Sequence, residues 1–290
     1  MMNETTPLRR VSPRQPCAVC GKPDWCGCSP DGCFAVCMRV PEGAVKTTRN
    51  GGFLHVLCED PDWPSRPRVR TLALATRNKP PTDFGPLATG YAASVEMAEV
   101  QGFAEQLGVS VGSLVRLAIG WAADHRAWSF PMYDAARCVQ GIRLRSLSGR
   151  KWSVRGGREG LFLPTGLDFS KLLMICEGPT DTAALLDLGF EAIGRPSCSG
   201  GTMLLAEILR RAKPSGAVIV ADRDGPGQRG AEGLAMALLP VCRSVRVVCP
   251  PEGIKDARAW KQAGATLEDV RMVIDSTPER SLTVTRRAKR

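Results

Sequence analysis

Leu172-Leu173-Met174-Ile175-Cys176 runs into Glu177-Gly178-Pro179-Thr180-Asp181, and Ala217-Val218-Ile219-Val220-Ala221 runs into Asp222-Arg223-Asp224-Gly225. Each is a short, continuous apolar run that ends in acidic residues, as expected of a strand buried on both faces of a parallel sheet. Around these two runs the periodicity alternates. It predicts strands at 172–176, 191–194, 217–221 and 244–248, and helices at 180–188, about 202–212 and 229–238. Short connections between such elements specify an α/β fold whose parallel sheet is covered on both faces. In such sheets the chemistry sits outside the carboxyl ends of the strands, so Glu177, Asp181, Asp222 and Asp224 are expected to converge on one crevice. Carboxylates that close repel one another unless they share cations, and clustered hard oxygens suit Mg²⁺ or Mn²⁺. The pattern therefore points to metal-assisted phosphoryl-transfer chemistry.

Upstream, from about Ala93 to Ala122, apolar residues fall at helical spacing: Val95, Met97, Val100, Leu107, Leu114, Leu117 and Ile119. A basic, strand-rich stretch follows, with runs at 127–130, 138–145 and 151–154 separated by turns at Tyr133–Arg137 and Ser146–Arg150. Together residues 91–170 form a helical, then strand-rich basic subdomain preceding a parallel-sheet domain at 171–265. Residues 59–90, with six prolines among Arg and Asp, read as a Pro-rich linker, and 276–290 as a disordered basic tail.

The 39 Lys and Arg against 29 Asp and Glu leave a net charge of +10, which favours an acidic partner such as nucleic acid. Aromatic residues make up 6% of the chain, too few for a single-strand binder built mainly on stacking platforms. No apolar run approaches the roughly 20 residues that span a bilayer, and Met1 to Gln15 lacks the apolar core of a secretory signal. A cytoplasmic protein with no membrane partner is expected.

Six of the twelve cysteines lie between Cys17 and Cys37, which in a reducing compartment reads as a metal site within a small module at 15–58. Cys17-x2-Cys20 can place two thiolates on one cation, and Cys37 follows at zinc-ribbon spacing. Ser29-Pro30-Asp31-Gly32 predicts a turn joining strands at 24–28 and 33–37, with Cys28 opposite Cys33 and Cys26 diagonal to Cys37. Cys33 and Cys37, about 13 Å apart on an extended strand, cannot share one ion. The expected structural Zn²⁺ ligands are Cys17, Cys20, Cys26 and Cys37, with His55 the rival for the fourth place. A reduced hairpin without metal has too few apolar residues to fold alone.

Glu177-Gly178-x-x-Asp181 followed by Asp222-x-Asp224 resembles the signature of the Toprim domain, shared by bacterial-type primases, topoisomerases, gyrase-like enzymes, overcoming-lysogenisation-defect nucleases and recombination mediators. The order of zinc ribbon, linker, basic strands and Toprim resembles bacterial and phage DNA primases in particular. Gly141-Ile142-Arg143-Leu144-Arg145 and Lys151-Trp152 resemble the strand motifs that this family uses on template and nucleotide phosphates. Ser199-Gly200-Gly201-Thr202 resembles the small-residue turn after the second Toprim strand, and Lys255-Asp256 a late motif whose Asp approaches the metals. The ribbon lacks the Cys-x2-His opening of cellular primases and the paired Cys-x2-Cys close of a phage type. No P-loop signature is present, so no fused helicase is expected.

The resemblance implies synthesis of short RNA primers from ribonucleoside triphosphates on single-stranded DNA, with a separate replicative helicase as a further partner. Asp222, Asp224 and either Asp181 or Asp256 would hold the divalent ions, with Glu177 a ligand or a general acid–base. Arg143, Arg145, Lys151 and Lys255 would meet template and nucleotide phosphates. Two other readings use the same residues: a Toprim nuclease, and a non-catalytic zinc-and-Toprim recombination mediator.

Overall fold

Two compact units make up the chain, Met1–Arg77 and Asn78–Arg290. The computed structural model describes residues 8–48, 51–58 and 82–282. The stretch 59–81 of the expected linker and the last eight residues of the expected tail lie outside the described residues.

The smaller unit is a five-stranded sheet of β1 (Arg9–Arg10), β2 (Gly27–Cys28), β3 (Phe34–Cys37), β4 (Lys46–Thr47) and β5 (Phe53–Val56), in the order β1-β2-β3-β5-β4. Its β2–β3 turn is built by side chains. Ser29 Oγ accepts from the Phe34 N–H at 2.9 Å, Asp31 Oδ1 accepts from the Cys33 N–H at 3.0 Å, and Gly32 takes φ 74°. The turn closes at Ser29–Phe34, so the register differs from the expected one: Cys28 lies opposite Ala35 and Gly27 opposite Val36. Cys33 falls within the turn, where its carbonyl accepts from the Leu57 N–H at 2.8 Å. A displacement of two residues preserves the face of every side chain, which is why Cys26 and Cys37 still point the same way.

The larger unit begins with α1 (Gly85–Ala93), α2 (Met97–Leu107) and α3 (Val111–Arg116). α1 starts inside the stretch read as linker: Pro86 occupies the first turn, where no backbone N–H is required, so its presence does not break the helix. α2 stops at Gly108, φ 67°, and α3 is capped by the Ser110 side chain on the Ser113 N–H. The helical pattern ends at Leu117, and Gly120–Ala122 is a strand, β6, not a continuation. Gly120 is needed there because a Cβ would fall 2.6 Å from the Ala92 backbone N. With β7 (Ala127–Tyr133), β8 (Val139–Ser146) and β9 (Lys151–Ser153) it forms an antiparallel sheet in sequential order. Asp134 Oδ1 accepts from the Ala136 and Cys138 N–H groups, both at 2.9 Å, to close the β7–β8 hairpin.

The parallel sheet comprises β10 (Leu173–Glu177), β11 (Glu191–Arg195), β12 (Ala217–Val220) and β13 (Val245–Val248), in the order β11-β10-β12-β13. Its helices are α4 (Pro179–Asp187), α5 (Thr202–Ala212), α6 (Gly225–Leu238), α7 (Ala257–Gln262) and α8 (Leu267–Ser276). α6 starts four residues before the expected 229, because Asp224 caps a first turn that accommodates Gly225, Pro226 and Gly227. One face of the sheet shares a core with the upstream helices, where Met174, Val218 and Trp260 pack with Phe103, Leu114 and Trp128. The other face buries Ile175, Ile193 and Ile219 beneath Leu205, Leu209, Leu234 and Leu238 of α5 and α6. Residues 276–282 are not simply a tail. Arg280 exchanges two 2.9 Å backbone hydrogen bonds with Val245 and pairs with Glu232 through both guanidinium Nη atoms. Among the described residues no helix is long and apolar enough to cross a membrane.

The chain leaves β10 to one side for β11 and returns to its other side for β12. The carboxyl ends of β10 and β12 therefore flank the point where the strand order reverses, the place where open α/β sheets form their crevice.

Candidate metal centre and carboxylate site

In the smaller unit the Sγ atoms of Cys17, Cys20, Cys26 and Cys37 all lie within 4.8 Å of one another. Cys20 to Cys26 is 3.7 Å and Cys26 to Cys37 4.0 Å, close to the ~3.8 Å edge of a tetrahedron built on ~2.3 Å Zn–S bonds. Among the described residues this is the one group of three or more potential ligand side chains drawn so tightly together. Donors surround the sulfurs as they would thiolates: the Arg39 and Val40 N–H groups reach Cys37 Sγ at 3.4 Å, and the Met38 N–H reaches Cys26 Sγ at 3.4 Å. Arg39 Nη1 adds charge at 3.6 Å from Cys26 Sγ and 3.8 Å from Cys20 Sγ, with Asp24 anchoring its other end. Burial and the neighbouring thiols push Cys26 up to about 12, whereas hydrogen bonds from the surroundings, opposed by burial, bring Cys20 down to about 7. His55 is buried but bonds through Nε2 to the Val40 carbonyl at 2.9 Å and stands outside the cluster. Cys28 and Cys33 also stand outside it.

In the larger unit Glu177 is the last residue of β10, and Gly178, φ 81°, turns the chain into α4. Asp181 in the first turn of α4 is 7% exposed, and its Oδ1 accepts from the Arg258 N–H at 2.9 Å. Asp222 follows β12. Asp224 caps α6, accepting from the Gly227 N–H at 2.8 Å, and Asp256 caps α7, accepting from the Ala259 N–H at 2.8 Å. Gly227 lets α6 begin against Asp222, since a Cβ would fall 2.8 Å from the Asp222 Cβ. The Arg223 N–H donates to the Lys255 carbonyl at 2.8 Å, tying the two acidic loops together.

These carboxyls feel one another. Burial, Glu177, Asp256 and Asp224 push Asp222 up to about 7, opposed by Lys255. Burial and Asp256 push Asp181 up to about 7, against its hydrogen bond from Arg258. Burial and Asp224 raise Glu177, opposed by Lys151, Arg195 and Lys255. Buried carboxyls raised further by neighbouring anions are what a shared divalent cation relieves.

The basic strands face the same place. Arg143 is lowered by burial and held up by Glu159 and Glu177, while its Nη2 donates to the Pro196 carbonyl at 3.0 Å. Arg145 and Lys151 both interact with Asp181, and Lys151 also with Glu177. Two further cations were not singled out from the sequence. Arg195, 4% exposed, pairs in register with Glu177 across β10–β11. Its guanidinium donates to the Gly200 carbonyl at 2.9 Å and Thr202 Oγ1 at 3.2 Å, which fixes the Ser199–Thr202 turn. An Arg closing an apolar strand was the available signal. Arg258, two residues beyond Asp256, had none.

A raised carboxyl favours the fold at low pH; that stability is present in full below about pH 4 and is lost progressively as pH rises to about 7. Asp181→Asn keeps an acceptor for the Arg258 N–H and removes the charge. Without added metal it is expected to gain about 1–3 kcal/mol at pH 8, or roughly 3–10 °C in Tm, roughly a third of that at pH 5, and almost nothing below about pH 4. A pair of calorimetric scans checks this; a lower Tm than wild type at pH 8 would overturn the account of this carboxyl.

No family model matches the chain, and no curated protein sequence matches it. Solved structures do. The Aquifex aeolicus primase zinc-binding and RNA polymerase domains superpose with a TM-score of 0.53 at 16% identity, over 67% of this chain and 60% of that one. A DnaG catalytic core gives 0.51 at 17% identity, over 67% and 78%. A DnaG primase catalytic domain bound to single-stranded DNA gives 0.50 at 17% identity, over 67% and 77%. Over that two thirds of its length the chain has the fold of the bacterial primase catalytic cores.

Proposed function

We propose that the chain is a DNA primase, synthesising short RNA primers on single-stranded DNA by divalent-metal-dependent nucleotidyl transfer. The observation that carries this reading is the grouping of Glu177, Asp222 and Asp224 at the sheet's switch point, faced by Lys151, Lys255 and Arg195, within a primase-core fold. Asp222, Asp224 and Asp256 supply hard oxygens for Mg²⁺ or Mn²⁺, with Glu177 and Asp181 beside them. When bound, such ions lower the pKa of an attacking 3′-hydroxyl and neutralise charge at the α-phosphate and the leaving pyrophosphate. Glu177, raised by burial and by Asp224, can take up or return a proton beside that hydroxyl. Arg143, Arg145, Lys151 and Lys255 attract template and nucleotide phosphates. The thiol cage suits a structural Zn²⁺, since four sulfur ligands leave no open position for chemistry. Single-stranded DNA is bound by one of the structures with this fold, and a separate helicase would deliver it.

The test is incorporation of labelled ribonucleotide on single-stranded DNA with Mg²⁺ or Mn²⁺, comparing wild type with Glu177→Gln. Template-dependent short products from wild type, reduced at least 10²-fold in the variant, are expected. Metal-dependent shortening of the template without synthesis would assign these carboxylates to a nuclease instead. Unchanged DNA binding in both proteins with neither reaction would leave the mediator reading.

A further inference from the structure

Arg258 is the second residue of α7, and its backbone N–H is already used by Asp181. Its Nε is buried and finds no acceptor; among the described residues only the neutral Trp128 Nε1 shares that condition. A guanidinium is charged at every relevant pH, so a buried donor left unmade on it is costly. The neighbouring cations make this worse. Arg145 and Lys151 are directly opposed across β8 and β9, an arrangement that repels. Arg258 interacts unfavourably with both of them. Against this trio stand Asp181, buried and committed to a backbone N–H, and Glu177, which acts on Lys151 but not on Arg145.

Two planar forks and one ammonium converging beside a buried carboxylate call for a compact polyanion. We infer that Arg258 is a phosphate-binding residue of the carboxylate site, holding, with Arg145 and Lys151, the triphosphate of the incoming nucleotide. A triphosphate concentrates its charge within a few ångströms, whereas a single-stranded backbone presents phosphates one at a time along its length, so the tight trio fits the former. Asp256, a candidate ion ligand, lies two residues before Arg258. A phosphate gripped by the guanidinium would thus sit next to the ions that bridge phosphate oxygens. This assignment rests on the primase reading for the identity of the polyphosphate, not for the presence of the anion site.

The experiment uses the full chain as wild type, Arg258→Met, which keeps the apolar stem, and Arg258→Lys, which keeps the charge but loses the fork. Binding of Mg²⁺–tripolyphosphate is measured by calorimetry, single-stranded DNA affinity by anisotropy, and the nucleotide KM in primer synthesis. Arg258→Met is expected to weaken tripolyphosphate about 10–100-fold and raise the nucleotide KM by a similar factor. DNA affinity should change less than about threefold, and Arg258→Lys should recover part of the loss. Unchanged tripolyphosphate affinity in a folded variant overturns the inference, as does a loss confined to DNA, which would place the guanidinium on the template backbone. Should Arg258→Met fail to fold, Arg258→Lys decides alone, and affinity equal to wild type overturns the inference. If wild type makes no primers yet the tripolyphosphate difference holds, the primase reading fails while Arg258 stands as a polyphosphate ligand.

Discussion

Cys37→Ser is expected to empty the thiol cage and unfold the N-terminal unit while the larger unit keeps its melting transition. Cys37 is fully buried, and among the described residues the apolar cluster it belongs to holds only Val11, Cys17, Cys26 and Cys37 as buried members. So small a core cannot offset the conformational entropy of its own chain. Structural Zn²⁺ in small domains supplies on the order of 10–16 kcal/mol, and here that binding would be the folding free energy. Metal analysis should show about one zinc per wild-type chain and almost none in the variant, with rapid proteolytic loss of the N-terminal segment. Cys28→Ser is the matched control, since Cys28 stands outside the cage, and it should retain its zinc. Full zinc content in Cys37→Ser would mean that another residue, His55 first among them, closes the site.

Asp222→Asn is expected to lower primer synthesis by on the order of 10²–10³-fold. Unlike Asp224 and Asp256, Asp222 caps no helix, so its loss removes charge without removing a structural hydrogen bond. Its carboxyl is also the one pushed upward by Glu177, Asp256 and Asp224 together, which places it among all three. The variant should fold at least as well as wild type without metal and respond less to added Mn²⁺, because the anionic crowding that the ion relieves has been reduced. Wild-type activity, or an undiminished Mn²⁺-induced rise in Tm, would show that the ions are held elsewhere.

Much of the α/β half was legible because its strands are buried on both faces and hence read as unbroken apolar runs. Leu173–Glu177, Glu191–Arg195 and Val245–Val248 fall within a residue or two of the expected bounds. Helix starts rich in Gly and Pro were less legible. Gly225-Pro226-Gly227 and Gly85-Pro86 look like turns in one dimension, yet both open helices, where a missing N–H costs nothing. The β2–β3 register was read two residues out, because the turn is closed by Ser29 and Asp31 side chains and reaches to Phe34. The four thiols still met, because side-chain parity survives an even shift. Arg195 and Arg258 escaped notice for a different reason: their charge acquires meaning only from partners on other strands and helices, which no local pattern displays.

Asp181, Asp224 and Asp256 each spend one carboxylate oxygen, Oδ1, on a backbone N–H. That leaves the second oxygen of each as the one more open to an ion, and an ion met through it alone would leave the helix turns and the tie to Arg258 undisturbed. Small, six-coordinate ions accept carboxylates one oxygen at a time and keep their waters, whereas Ca²⁺ gathers more oxygens and often takes both from one side chain. In the proposed site, the hydrogen bonds that hold these turns in place would thereby favour small six-coordinate cations over Ca²⁺, so that the same three N–H groups would serve folding and ion choice.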